Sequence, residues 1–162
     1  MSALRKVISG GQTGVDQAAL WAAKDCGLEI GGWCPPGREN EKGVIPNEFP
    51  RKETPRDRSP DAPHVPRSQR TEWNVRDSDG TLVIRSAAKE DPGTKWTIAC
   101  AARYKRPALV CNVADSKAKE KILEWLKAYP ICTLNVAGPS ESVASGIGER
   151  VHALLTEVFK NL

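Results

Sequence analysis

The sequence predicts an α/β fold, a three-layer sandwich whose mainly parallel sheet has about five strands. Three observations carry this expectation. Short apolar runs alternate with amphipathic helical stripes along the chain. The run Thr81-Leu82-Val83-Ile84-Arg85 is continuous, the pattern of a strand buried on both faces. Three of the strand-to-helix connections are rich in glycine, hydroxyl groups or both.

Lys6–Ser9 reads as the first strand. Val15, Ala18, Ala19, Ala22, Ala23 and Cys26 then recur at i, i+3, i+4 and i+7, and Gly27 follows at the expected helix C′ position. Leu28–Trp33 reads as a second strand, weakened by Gly31 and Gly32. A proline-rich excursion over 34–66 holds most of the 12 prolines. A connection of that length is either functional or disordered, and Val44, Ile45 and Phe49 predict that it packs over the body. Ser68–Asp77 reads as a helix and Asp79-Gly80 as a turn before the strand at Thr81. A loop through Asp91-Pro92-Gly93-Thr94 opens a helix with Ile98, Ala99 and Ala102 on one side. Ala108–Cys111 is the next strand. A helix from about Ser116 to Ala128 uses Ala118, Ile122, Trp125 and Leu126, and Thr133–Val136 is the last strand. The closing helix carries the stripe Ile147, Val151, Leu154, Leu155 and Val158. Trp21, Trp96 and Trp125 fall at helical spacing and are expected in the core.

At 162 residues the chain is expected to form one domain over 1–162, with roughly 70% of the unfolded chain's surface buried. Five cysteines, an odd number without a CxxC pair and mostly in apolar runs, predict reduced core residues of a cytoplasmic protein. His64 and His152 lack ligand spacing to them, so no metal site through these residues is expected. No apolar run reaches the ~18 residues of a membrane span. The net charge of +4 has its signs interspersed, with no basic stripe of the kind that would argue for nucleic acid.

The strongest functional signal is Ser9-Gly10-Gly11-Gln12-Thr13-Gly14-Val15-Asp16. Gly10 and Gly11 allow a sharp turn with no side chain above it, and Gly14 lets a helix start close against the strand. The amides at that helix start carry about half a positive elementary charge and favour phosphate or another oxyanion. Gln12 and Thr13 add an amide and a hydroxyl. Ligands of parallel sheets gather beyond the carboxyl ends of the strands. The loops Gly10–Gly14, Arg85–Thr97 and Gly138–Ser142 are therefore expected to line one pocket for a small anionic ligand. In the second loop Gly93, Thr94 and Lys95 either hold a second anionic group or form a capped helix start with a solvated lysine. Gly138 and Ser140 are the candidates in the third loop, where Ser142 or Ser145 reads as a helix cap. Arg38 and Lys42 either close over the ligand as a lid or are surface charge. Arg70 and Asn74, four apart on one helix face, either reach the pocket or flank Trp73 in solvent. Asp16 lies one turn into its helix, where the dipole keeps it ionised. It either acts as a base or complements the helix start.

Several chemistries are disfavoured. The chain has G-G-x-x-G in place of G-x-G-x-x-G, and its second strand ends at Trp33-Cys34-Pro35 without the acidic ribose anchor of a dehydrogenase. It lacks the G-x-x-x-x-G-K-[ST] of a P-loop and a G-x-S-x-G elbow. Binding is expected over catalysis, with no catalytic residue assigned. The alternative is an enzyme or sensor for a nucleotide-derived ligand, with Asp16 as its carboxylate.

Ile8–Asp16, Gly31-Gly32-Trp33-Cys34-Pro35, Arg70–Thr81 and Leu134-Asn135-Val136-Ala137-Gly138-Pro139 together resemble the family named putative molybdenum carrier. That family is described as circularly permuted YpsA-like, within the Rossmannoid superfamily of the LONELY GUY phosphoribohydrolases and lysine-decarboxylase-like proteins. The resemblance implies a Rossmann-like fold and binding of molybdenum cofactor or molybdate. It also implies a homo-oligomer and molybdoenzymes as acceptors. Carried over by position, the ligand loops are Gly10, Gly11, Thr13 and Gly14, then Gly93 and Thr94, then Gly138 and Ser140. One departure matters. The phosphoribohydrolases resemble P-G-G-x-G-T-x-x-E, whereas Thr97 stands here in place of the catalytic glutamate, which weighs against hydrolysis of that type.

Overall fold

The computed structural model describes residues 2–86 and 91–162. Among them the elements run β1 (Lys6–Ile8), α1 (Val15–Asp25), β2 (Glu29–Gly31), β3 (Trp33–Cys34), β4 (Glu39–Asn40), β5 (Gly43–Val44), β6 (Lys52–Glu53), α2 (Ser68–Arg76), β7 (Gly80–Arg85), α3 (Pro92–Arg103), β8 (Ala108–Asn112), α4 (Ala118–Ala128), β9 (Thr133–Ala137) and α5 (Ile147–Lys160). Five of the strands form a parallel sheet in the order β2-β1-β9-β7-β8, the α/β arrangement expected from the sequence. The last strand in sequence lies at the sheet's centre.

Crossover handedness explains the layering. Right-handed connections run from β1 outward to β2 and from β7 outward to β8 in opposite directions, which sends α1 and α3 to opposite faces. The return from β8 to β9 reverses direction again and puts α4 on the face of α1. Side-chain alternation follows the pleat. Val7, Leu82, Ile84, Leu134 and Val136 point into the main core with residues of α1, α4 and α5. Val75 of α2 and Cys100 and Ala101 of α3 build a separate apolar cluster with Trp96 and Tyr104.

β7 is buried along nearly its whole length, as its continuous apolar run predicted. Gly27 ends α1 at φ +77°, and the Leu28 amide reaches back to the Ala23 carbonyl at 2.9 Å, the helix-ending geometry its position implied. The second strand forks at Gly32, whose φ of +127° redirects the chain. Before the fork β2 joins the main sheet, and after it β3 pairs with β6 of the excursion. Asp79-Gly80 is not a free turn. The Asp79 carboxylate accepts the amides of Cys132 and Thr133 at 3.0 and 2.9 Å, so it aligns β7 with β9.

Three packing expectations change. The buried face of α3 is Thr94, Thr97, Cys100 and Ala101, while Ala99 and Ala102 are exposed, because the helix turns toward α2 and the carboxyl edge of the sheet. Trp125 is buried and Trp96 half-buried, but Trp21 is 39% exposed, its ring lying edge-on over Phe49 at 4.9 Å. Cys34, Cys100 and Cys111 are buried, whereas Cys132 is exposed. Among the described residues no helix is long and apolar enough to cross a membrane.

The excursion packs as its apolar residues suggested, with one exception. Ile45 and Phe49 are fully buried against Leu20 and Cys34, but Val44 is 70% exposed. Phe49→Ala should therefore cost about 3–5 kcal/mol in chemical denaturation and expose 34–66 to limited proteolysis. A loss below about 1 kcal/mol would mean that the excursion does not share the core.

Candidate functional site

β1, β9 and β7 are neighbours, so the loops leaving their carboxyl ends share one edge. The chain departs from β1 toward one side of the sheet and from β7 toward the other, which opens a crevice between the loops. The crevice has a volume of about 140 Å³ and is lined by Gln12, Asp16, Arg70, Thr94, Thr97 and Ser140, among others. Positions 87–90 of the β7–α3 loop lie outside the described residues.

Arg70 spans the floor of this space. From α2 it reaches Asp16 on α1, Nη1 to Oδ2 at 2.9 Å, with the side chains 16% and 3% exposed. Gly10 makes room for it, since a Cβ there would fall 1.5 Å from Arg70 Nη1. Asp16 also accepts the Gln12 amide at 3.2 Å. Burial pushes the Asp16 carboxyl above its ordinary range, with Arg70 and the Gln12 amide pulling it down. Burial therefore works against ionisation of Asp16, and Arg70 is its counterion. Arg70 Nε is buried without a partner among the described residues.

The glycine loop meets most of its own hydrogen-bonding needs. The Gln12 amide goes to Asp16, the Thr13 amide to the Gln12 side chain at 3.0 Å, and the Val15 amide to the Pro139 carbonyl at 3.2 Å. Gly14, at φ +78°, permits that last approach: a Cβ on it would lie 2.5 Å from the Pro139 oxygen. Gly138 likewise sits 2.1 Å, at its would-be Cβ, from the Ile84 carbonyl. Gly14 thus packs loop against loop, and Gly138 packs against β7 and Val15. Arg70, Thr71, Thr94 and Ser140 are among the polar side chains that line the crevice.

Other expected residues lie elsewhere. Gly11 packs on Ile45, and its carbonyl accepts from Asn40 and Gln17 at 3.0 and 3.2 Å. Arg38 braces the excursion, donating to the carbonyls of Ile45 and Phe49 at 3.4 and 3.3 Å. Lys95 is exposed and does not line the crevice. Gly93 and Thr94 do line it, at the start of α3, where the Asp91 carboxylate caps the Thr94 amide at 2.7 Å. Asn74 shares Arg70's helix but clamps the Trp33 backbone, at 2.8 and 3.0 Å, so it holds the strand fork in place and leaves the crevice to Arg70.

Two contributors were not legible beforehand. Arg51, from the excursion, donates to the carbonyls of Ser9 and Gly31, and burial lowers its guanidinium to about 10. Glu41 lies at the tip of the β4–β5 hairpin and reaches the third loop. Its carboxylate accepts the Thr13 hydroxyl, the Ser142 amide at 3.2 Å and the Ser142 hydroxyl at 2.5 Å. The Glu41 amide donates to Gln12 Oε1 at 3.1 Å. The Ser142 hydroxyl, and then Thr13, lower the Glu41 carboxyl to about 2. Neither residue belongs to a periodic stripe, so only the fold discloses its partners.

Two predictions follow from these carboxylates. Arg70→Ala leaves a buried Asp16 unpaired and should cost about 3–5 kcal/mol near neutral pH. A carboxyl raised by folding contributes stability below its unfolded pKa and loses it as pH rises; removing Arg70 raises it further, so this penalty should shrink as pH falls toward about 4. Equal losses at pH 3 and pH 7 would show that Asp16 is not the cause. Glu41 has the opposite sign. A depressed carboxyl contributes stability above its unfolded value and loses it as pH falls through about 2. The stability difference between the chain and Glu41→Gln should fade as the medium is acidified from about pH 4.3. The Glu41 carboxyl carbon, followed by NMR, should titrate in that acid range, and an ordinary glutamate midpoint would remove the contact.

Comparison with known proteins agrees with this architecture. A family model described as the circularly permutated YpsA SLOG family matches residues 7–159. The crystal structure of a protein from Syntrophus aciditrophicus SB, named "Putative molybdenum carrier protein", superposes with a TM-score of 0.84. Its sequence is 36% identical, and the match covers 98% of this chain and 96% of that one. A search of curated proteins gives no match. Since the family model spans nearly the whole sheet-and-helix framework, from β1 into α5, the chain belongs to the circularly permuted YpsA SLOG family.

Proposed function

We propose that this chain binds and carries a small oxyanion, molybdate, in the crevice beyond β1, β9 and β7. The observation that carries the reading is Arg70. Its Nη1 is paired with Asp16, while its Nε is buried without a partner among the described residues. Around it Thr94, at the start of α3, and Ser140, in the loop after β9, bring hydroxyl-bearing side chains, Ser140 sharing a hydrogen bond with Ser142 at 3.1 Å. A guanidinium with neighbouring hydroxyls suits an oxyanion, through charge-assisted hydrogen bonds. Size points the same way. Pockets for organic ligands run to about 300–1,000 Å³, so a volume of about 140 Å³ favours a tetrahedral oxyanion over the pterin body of molybdenum cofactor. The name of the Syntrophus protein supports the same cargo. The family resemblance extends the reading to molybdoenzymes as acceptors and to a homo-oligomer working in the cytoplasm.

The nucleotide-cleaving alternative draws less support. Thr97 donates its hydroxyl to the Gly93 carbonyl at 2.9 Å, and Asp16 is held by Arg70. Neither presents a carboxylate free to move a proton.

Molybdate at about 100 times its Kd should stabilise the chain by about 2.7 kcal/mol, a rise in melting temperature of roughly 5–11 °C. Thr94→Val and Ser140→Ala should each weaken molybdate binding about tenfold in calorimetric titration, by removing a hydroxyl donor to a charged ligand. No thermal shift with molybdate or tungstate would overturn the proposal.

A further inference from the structure

We propose that the chain has a second ligand site, for a small aromatic carboxylate, on the open sheet face of β1 and β2 between Lys6 and Trp33. It is independent of the crevice, with which it shares no lining residue.

Alternation along β1 turns Val7 into the main core and Lys6 and Ile8 to the opposite face. Over that face lies a cavity of about 440 Å³, within the range that small organic ligands occupy. Gly31 stands beside Ile8 on β2 and keeps the face bare. A Cβ on Gly31 would fall 3.1 Å from Lys6 Cε and 3.3 Å from its Nζ. The lysine therefore lies along the sheet, half-buried, where a side chain on β2 would have turned it away. Ile8 and Pro50 give the cavity apolar surface, and Thr133 adds a hydroxyl.

The charges around this cavity do not balance. Among the described residues Lys6 has no hydrogen-bonding or ionic partner, not even Glu29, its register neighbour on β2. Arg51 gives its terminal nitrogens to the neutral carbonyls of Ser9 and Gly31, and its Nε is buried without a partner among the described residues. Lys52 Nζ lies 5.7 Å from the centre of the Trp33 ring. Against these three cations the lining offers one carboxylate, Asp77, which Arg76 at 2.8 Å and Trp33 Nε1 at 2.7 Å already hold. A ligand carboxylate beside Lys6 would supply the missing charge through charge-assisted hydrogen bonds. The ring preference comes from Trp33. Its indole N–H is anchored on Asp77, and Trp73 meets it edge-on at 4.8 Å. An aromatic wall fixed beforehand favours a flat ring, because little side-chain freedom is lost on binding.

The test is calorimetric titration of 2-naphthoate into the full chain, with 2-naphthamide as the uncharged counterpart and hexanoate as the ring-free one. Naphthoate should bind, and each counterpart should bind about tenfold more weakly or not at all. Lys6→Met keeps the apolar stem and removes the charge, so it should weaken naphthoate about tenfold and leave the molybdate titration unchanged. In the unaltered chain the indole N–H of Trp33, followed by NMR, should shift with naphthoate. The inference is overturned if naphthoate does not bind, if naphthamide or hexanoate binds as tightly, if Lys6→Met retains full affinity, or if the Trp33 signal stays in place. Because molybdate is read at a different place in the fold, either proposal can fail while the other stands.

Discussion

The ion pair between Arg70 and Asp16 is the constraint around which the carboxyl edge is organised. It joins α2, on one face of the sheet, to α1, on the other, across the end of the central strands. A guanidinium cannot pass there unless the β1–α1 loop is free of side chains, and Gly10 meets that demand. The carboxylate cannot be buried without compensation, and Arg70 and the Gln12 amide supply it. Gln12 is then committed in both its backbone and its side chain, which shapes the rest of the loop.

The same requirement gives the proline-rich excursion its place. A connection that leaves the sheet at Gly32 and returns only at Ser68 needs anchors, and it has three kinds. Ile45 and Phe49 insert into an apolar cluster with Leu20 and Cys34. Arg51 satisfies two backbone carbonyls at the end of β1 and β2. The β4–β5 hairpin lays Asn40 and Glu41 onto the glycine loop and the β9–α5 loop. The first anchor is hydrophobic and insensitive to charge. The last is polar, with the Asn40 contact buried and the Glu41 contact to Ser142 at the surface, where such bonds are weakest.

The glycine-rich turn uses several of its backbone amides inside the protein. Gln12, Thr13 and Val15 direct their amides to acceptors within the protein. The crevice itself is lined by Arg70 and Thr71 of α2, Thr94 of α3 and Ser140 of the loop after β9. The glycines serve close packing instead, since Gly14 lets the loops after β1 and β9 touch along their backbones and Gly138 lets the chain pass close to the end of β7 and to Val15.

Alternation of apolar runs and helical stripes determined the α/β class, the positions of most elements and the buried character of β7, because side-chain burial follows local periodicity whatever the topology. The motif sequence likewise determined the family. It also placed Gly93, Thr94, Gly138, Ser140, Gln12 and Arg70 as candidates, and these line one crevice because their loops follow neighbouring strands. The tertiary structure alone decided that β9 inserts between β1 and β7, that Asn74 turns to Trp33, that Arg38 braces the excursion, and that Glu41 meets Ser142. Strand order and contacts between residues a hundred positions apart depend on which surfaces bury each other, and a polar side chain in an aperiodic loop carries no local mark of its partner.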